Sequence, residues 1–142
     1  MLTRITSRLP MLALVASAAI GCADGEEDPT ASVPRVGVGV LEQAWTIEGS
    51  TDPALCARYG ADLMRVVVLD EGDNIQATEF APCDAFVMRP PLVAGNYTGN
   101  ATFLTAAGGP VSATLPLPPF VIVDEGTTRQ LIDFPAAAMV PP

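Results

Sequence analysis

Leu63-Met64-Arg65-Val66-Val67-Val68-Leu69-Asp70 is the stretch whose reading decides the fold. It is short, rich in β-branched residues, and runs into the turn-forming cluster Asp70-Glu71-Gly72-Asp73-Asn74. A strand entering a hairpin has this composition. β-Branched side chains fit a pleated surface, and Asp, Gly and Asn accept the dihedral angles of tight turns. At period two, Met64, Val66 and Val68 share one face, and Arg65 falls on the other. Val66 is therefore expected in the core and Arg65 in solvent. Cys56 precedes the stretch, and Cys83 follows the next apparent strand, Ile75–Phe80. Together these features predict the centre of a β-sandwich pinned by a disulfide.

The rest of the chain supports an all-β reading. Its 14 Pro and 12 Gly interrupt it too often for long helices. The segments between them run about 6–10 residues, the length of strands. Val36, Val38 and Val40 alternate with glycines. Leu41, Trp45 and Ile47 carry the alternation on, with Gln43 as the polar exception. This predicts one long strand, or two short ones with a bend near Gly39, with Trp45 in the core. Asp52-Pro53 and Gly60 bracket a few residues with the chemistry of helix caps, so a short helical turn is expected near 53–59. Ala85–Met88, the alternating run from Tyr97 to Phe103, Val111–Leu117, Phe120–Val123 and Thr127–Phe134 complete the strand candidates. Pro116, Pro118 and Pro119 mark an edge strand or a bent connection, because proline cannot donate to a ladder. The expected fold is an antiparallel β-sandwich of about seven strands over 35–136, followed by a C-terminal tail over 137–142.

The first 34 residues read differently. Arg4 and Arg8 precede the apolar run Met11–Ile20, which is too short to span a bilayer. The run ends in Ala19-Ile20-Gly21-Cys22, which resembles the lipobox of bacterial lipoproteins. That resemblance implies a signal peptide over 1–21 and a diacylglycerol on the Cys22 thiol. It also implies an acylated amine at Cys22, palmitate being the expected chain. Two or three acyl chains would hold the domain at a membrane where one would not. Ala23 rather than Asp follows Cys22, which implies the outer membrane rather than the inner by analogy with other Gram-negative lipoproteins. Residues 22–34 carry Asp24, Glu26, Glu27 and Asp28 and read as a flexible acidic tether. Its carboxylates would be repelled by anionic head groups. They form no preorganised cage for a metal ion.

Several chemistries are excluded by composition. The chain has no His and no Lys. There is accordingly no Ser-His-Asp or Cys-His pair, no imidazole ligand, no Schiff-base lysine and no phosphate-loop lysine. Beyond Cys22 only Cys56 and Cys83 remain. In an exported protein such a pair is expected as a disulfide, and its 27-residue separation gives a chain-entropy contribution of about 3–4 kcal/mol. Asp70, Glu71, Asp73 and Asn74 resemble part of a calcium loop but lack its later bidentate Glu, so they are expected to form a turn. Nearly all of the acids sit in turns or the tether, away from any apolar pocket that would raise a carboxyl pKa. No catalytic residues, metal or cofactor are expected. Removing the leader takes Arg4 and Arg8, leaving five arginines against 16 acids, a formal charge of −11 that repels nucleic acid.

Trp45-Thr46-Ile47, Cys56, Gly60-Ala61, Val66 and Val68 to Asp70, Pro82-Cys83, Leu92 to Tyr97, and Asp133-Phe134-Pro135 form a further pattern. It resembles small bacterial lipoproteins of myxobacterial type with an immunoglobulin-like or transthyretin-like sandwich. The Gly95-Asn96-Tyr97 step resembles a strand start in regulatory domains that follow carboxypeptidases, with Ala94 where proline is usual. The resemblance covers about residues 40–136 and implies a non-catalytic module. The reading is a lipid-anchored binding or structural domain of the cell envelope. Its partners are the membrane through Cys22 and an envelope protein or polysaccharide. The alternative is a carbohydrate-binding surface domain, with Tyr59, Phe80 and Phe86 as the candidate stacking residues.

Overall fold

A computed structural model describes residues 35–140. The signal peptide expected over 1–21, the lipidation expected at Cys22 and the tether expected to residue 34 lie outside the described residues. Among those described, two four-stranded sheets pack face to face as an all-β sandwich. The first sheet is built on β1 (Val38–Ile47). Along one edge β1 pairs antiparallel with β4 (Val87–Met88) and β5 (Pro91–Val93), which act as one strand interrupted at Arg89-Pro90. Along its other edge it pairs with β8 (Thr127–Phe134). The second sheet runs β3 (Ile75–Pro82), β2 (Leu63–Leu69), β6 (Gly95–Leu104), β7 (Leu115–Ile122). The strand that decided the fold thus lies inside this sheet, paired on both edges.

Two features of the topology differ from expectation. There are eight strands rather than about seven, and one pairing is parallel: β8 follows β1 in the same direction from Val40 opposite Thr127 to Ile47 opposite Phe134. Strand patterning fixes which face a residue occupies and leaves pairing direction open. Direction is set by the turn Val123–Gly126, which carries the chain from the second sheet to the first. There Val40 N–H donates to the Gly126 carbonyl (2.8 Å) and Glu125 N–H to the Val38 carbonyl (2.9 Å). A β-carbon at position 39 would sit 2.2 Å from the Val123 carbonyl oxygen, so only glycine admits this approach.

Proline also falls differently. The strands expected at Val111–Leu117 and Phe120–Val123 partly merge into β7, which runs through Pro116, Pro118 and Pro119. β7 pairs only with β6 and is an edge, which is where prolines are tolerated. Residues 111–114 instead pair with the segment expected as a tail. Ala113 N–H donates to the Ala138 carbonyl (2.7 Å) and Val140 N–H to the Val111 carbonyl (2.8 Å). Ala138 and Met139 are buried, so the core extends past residue 136.

The short helix α1 (Pro53–Tyr59) forms as its caps predict. The Asp52 carboxylate accepts from Ala54 N–H at 2.9 Å, and Gly60 closes the helix in the left-handed region at φ 63°. Its Cys56 is bonded to Cys83, with Cα atoms 6.0 Å apart. The Cys83 carbonyl in turn accepts from the Trp45 indole N–H at 2.9 Å. Between the sheets, Leu41, Trp45 and Ile47 meet Met64, Val66, Val68 and Phe103, and the Phe103 and Phe134 rings lie 4.6 Å apart. Tyr97 O–H donates to the Val93 carbonyl four residues back (2.8 Å), a link like the tyrosine corner of immunoglobulin-type sandwiches.

Val66 is completely buried. Arg65 lies on the opposite face, but it is not immersed in solvent as expected. It is half-buried between its cross-strand neighbours Phe80 and Thr102, and its Nε has no hydrogen-bond partner. Its aliphatic stem packs on the sheet as long cationic side chains do. Val66→Asp should therefore cost several kcal/mol and unfold the reduced domain, because a carboxylate there has no partner. Arg65→Asp should cost clearly less. Melting curves of the two variants check this, and a larger loss at position 65 would mean the face assignment is inverted.

Candidate functional site

The outward faces of the two sheets differ in chemistry. On the first sheet, period two turns Val38, Val40, Glu42, Ala44 and Thr46 outward, since Leu41, Gln43, Trp45 and Ile47 are buried. Register then places neighbours in rows. Val38 lies beside Val93, Val40 between Thr127 and Pro91, and Ala44 between Leu131 and Val87. Val38, Val93 and Leu131 are 50%, 47% and 65% exposed. An exposed aliphatic field of this kind marks an interaction surface more often than an isolated exposed residue does.

One charged bar crosses this field. Arg129 is registered directly opposite Glu42, and Arg89 reaches Glu42 from the other side. Arg89 Nε donates to Glu42 Oε2 at 2.9 Å and Arg129 Nε to Oε1 at 3.1 Å. Hydrogen bonding from Arg89 holds the Glu42 carboxyl below its usual range, opposed by partial desolvation and reinforced by Arg129. One carboxylate balances two guanidiniums, so the bar is net cationic on a strongly acidic chain. Both arginines bond through Nε and are largely exposed. Sequence reasoning missed this cluster because Glu42, Arg89 and Arg129 are far apart along the chain. Only the parallel pairing of β8 and the break between β4 and β5 bring them into one row.

The outward face of the second sheet is polar with one aromatic. Phe80, 55% exposed, is registered opposite Arg65; Thr78, Val67 and Asn100 form the next row. The three aromatics singled out from the sequence do not share this face. Tyr59 sits on α1, where its hydroxyl meets Glu48, and Phe86 ends the turn after Cys83; both are half-buried against the core. The hydrogen bond to Glu48 raises the Tyr59 pKa.

At the end of the sandwich beside the β2–β3 turn, Asp70, Glu71, Gln76, Val93, Asn96 and Tyr97 line an open crevice of about 520 Å³. An apolar trough of about 300 Å³ adjoins it along Pro119, Phe120 and Val121. The acids here are already engaged. Asp70 accepts from the N–H groups of Asn74 and Gly72 and from the side chains of Asn74 and Gln76, which lowers its pKa. Asn96 donates to Glu71 at 2.7 Å. Asp70, Glu71, Asp73 and Asn74 thus form a self-satisfied turn. Among the described residues no three His, Cys, Asp or Glu are placed to hold a metal ion. Cys56 and Cys83 are brought together as expected; Cys22 lies outside the described residues.

No family model matches the chain, and no curated protein matches it. Two solved structures share some of its backbone path, both from Bacteroides thetaiotaomicron. A leucine-rich repeat protein is 17% identical with a TM-score of 0.45, over 73% of this chain and 15% of that one. A structure described as "putative polysaccharide binding proteins (DUF1812)" is 12% identical with a TM-score of 0.40, over 68% of this chain and 46% of that one.

The charged bar has a measurable signature. A carboxyl with a depressed folded pKa contributes stability above its unfolded value, near 4.5, and loses it as pH falls through the folded value. Replacing both Arg89 and Arg129 with Gln should raise the Glu42 pKa toward 4.5 and shrink that share of the acid sensitivity. Carboxyl NMR titration of the two proteins measures it; an unchanged Glu42 pKa would mean the ion pairs do not form in solution.

Proposed function

We propose that this chain is a lipid-anchored domain of the cell envelope that binds and scaffolds rather than catalyses. The observation that carries the reading is the arrangement of its three cysteines. Cys56 and Cys83 are bonded to each other, and such bonds persist in oxidising, exported compartments. Cys22 is left outside that bond, directly behind an apolar leader and small residues. Two or three acyl chains on Cys22 would hold the domain at a membrane, and among the described residues no helix is long and apolar enough to cross one. The outer membrane is the proposed location, from Ala23 after the cysteine. Exposed sheet faces and the absence of His and Lys support a binding role over an enzymatic one.

Cys22→Ser should leave the protein unprocessed with its leader attached, or release it from the membrane fraction. Fractionation and mobility on gels decide this. A mutant that sediments and migrates like the parent would refute lipidation.

A second reading, binding of an envelope polysaccharide, is favoured by the outward face of the second sheet. There an exposed Phe80 ring lies beside Arg65, Thr78 and Asn100, groups that can stack on a sugar ring and bond its hydroxyls. Polysaccharide pull-down with the parent protein and with Phe80→Ala tests it. Retention that falls with the mutation supports sugar binding, and no retention of the parent removes it.

A further inference from the structure

We infer that the outward face of the β1 sheet is a membrane-docking face, which lays the domain against a bilayer rich in zwitterionic lipid. The inference rests on the proposed Cys22 anchor. The face meets a lipid surface in three respects. Its exposed apolar residues are aliphatic: Val38, Val93 and Leu131, with Val40, Pro91 and Val87 near them. Side chains of this kind enter the boundary between head groups and acyl chains. Its cations are two arginines whose Nε atoms are tied to Glu42, so their Nη groups are free to meet lipid phosphates as a planar fork. And the chain reaches the domain at this face: Arg35 and Val36, both exposed, lead into Val38 at its edge.

The tether length allows the geometry. Twelve residues lie between Cys22 and Arg35. A chain of that length reaches at most about 45 Å, against a domain radius of gyration near 13 Å. The anchored domain therefore stays within reach of the surface, where weak contacts act at high effective concentration.

Charge selects the kind of membrane. On the face itself Arg89 and Arg129 are matched by two carboxylates, Glu42 and Asp133, the latter registered opposite the outward Thr46. Around it stand Asp124 and Glu125 near Val38, while Asp133 on the face is held by Thr46 and Gly49. The acids of the tether add further repulsion from anionic head groups. Zwitterionic head groups offer the arginines a phosphate without that repulsion. Other occupants fit less well. Reading a sugar needs free amides, carboxylates or aromatic rings, whereas both carboxylates of this face, Glu42 and Asp133, are already hydrogen-bonded and its exposed apolar residues are aliphatic. A second copy would set arginine against arginine on molecules of formal charge −11 after loss of the leader.

The test uses the full lipidated chain reconstituted in phosphatidylcholine–phosphatidylethanolamine vesicles. Leu131→Cys and, separately, Thr78→Cys on the opposite sheet carry an environment-sensitive fluorophore; both positions are exposed. Cys22 is acylated and Cys56 and Cys83 are bonded, so the new thiol alone is labelled. Docking predicts that lipid-borne nitroxide quenches the label at 131 at least about threefold more than that at 78. It also predicts that Arg89→Glu with Arg129→Glu removes the difference, and that added phosphatidylglycerol reduces it. Equal quenching at 131 and 78, with the protein still in the vesicle pellet, would overturn docking while leaving the anchor intact. Loss of the parent protein from the pellet would overturn the anchor, and docking with it.

Discussion

The Trp45 indole bonded to the Cys83 carbonyl, with Cys83 in turn bonded to Cys56, is the constraint on which the rest depends. Three segments far apart in sequence meet there: the middle of β1, helix α1, and the turn that leaves β3. The indole is a large apolar group with one polar atom, and burying it is favourable only if that N–H finds an acceptor. The Cys83 carbonyl supplies one deep between the sheets. The disulfide then keeps that acceptor in place by closing a 27-residue loop, which restricts the unfolded chain more than it adds contacts to the folded one. A seven-residue helix would be marginal by itself, and α1 is held by this bond and its caps rather than by helix propensity.

Fixing Trp45 also fixes the phase of β1, and through it both surfaces of its sheet. With Trp45 inward, Glu42 must point outward, and every other strand of the sheet pairs with β1 alone. Arg129 and Arg89 reach Glu42 only because the parallel β8 and the interrupted β4–β5 edge hold their registers against it. A one-residue slip of β1 would bury Glu42 and expose the indole, so core packing and surface charge pattern are one choice. The two faces this creates are dissimilar. One is aliphatic, crossed by the Arg89–Glu42–Arg129 bar. The other is polar with Phe80 and Arg65.

Much of this was legible in the sequence. Alternation in Leu63–Asp70 placed Val66 inside, cap chemistry bounded α1, the cysteine count gave the disulfide, and the prolines of β7 marked an edge. Each of these depends on residues close together or on a count. The parallel partnership of β1 and β8, and hence the Arg89–Glu42–Arg129 bar, depends on which strands meet, and strand periodicity carries no such information. Gln43 shows a local limit as well. It reads as a break in the pattern, yet it is wholly buried between Leu41 and Trp45, where its amide N–H donates to the Ala44 carbonyl and its Oε1 has no partner. Backbone geometry overrode side-chain polarity there. The buried C-terminal segment escaped for a similar reason: Ala138 and Met139 follow a run of small residues and proline that looks like a tail until residues 111–114 pair with it.

The central claim is that a disulfide-locked sandwich is exported and held by a lipidated Cys22. Mass mapping of the protein extracted from cell membranes without reduction tests this most directly. The account predicts a peptide pair linked through Cys56 and Cys83, and an N-terminal peptide that begins at Cys22 and carries the mass of a diacylglycerol. Unlinked thiols at 56 and 83, or a chain that still begins upstream of an unmodified Cys22, would contradict it.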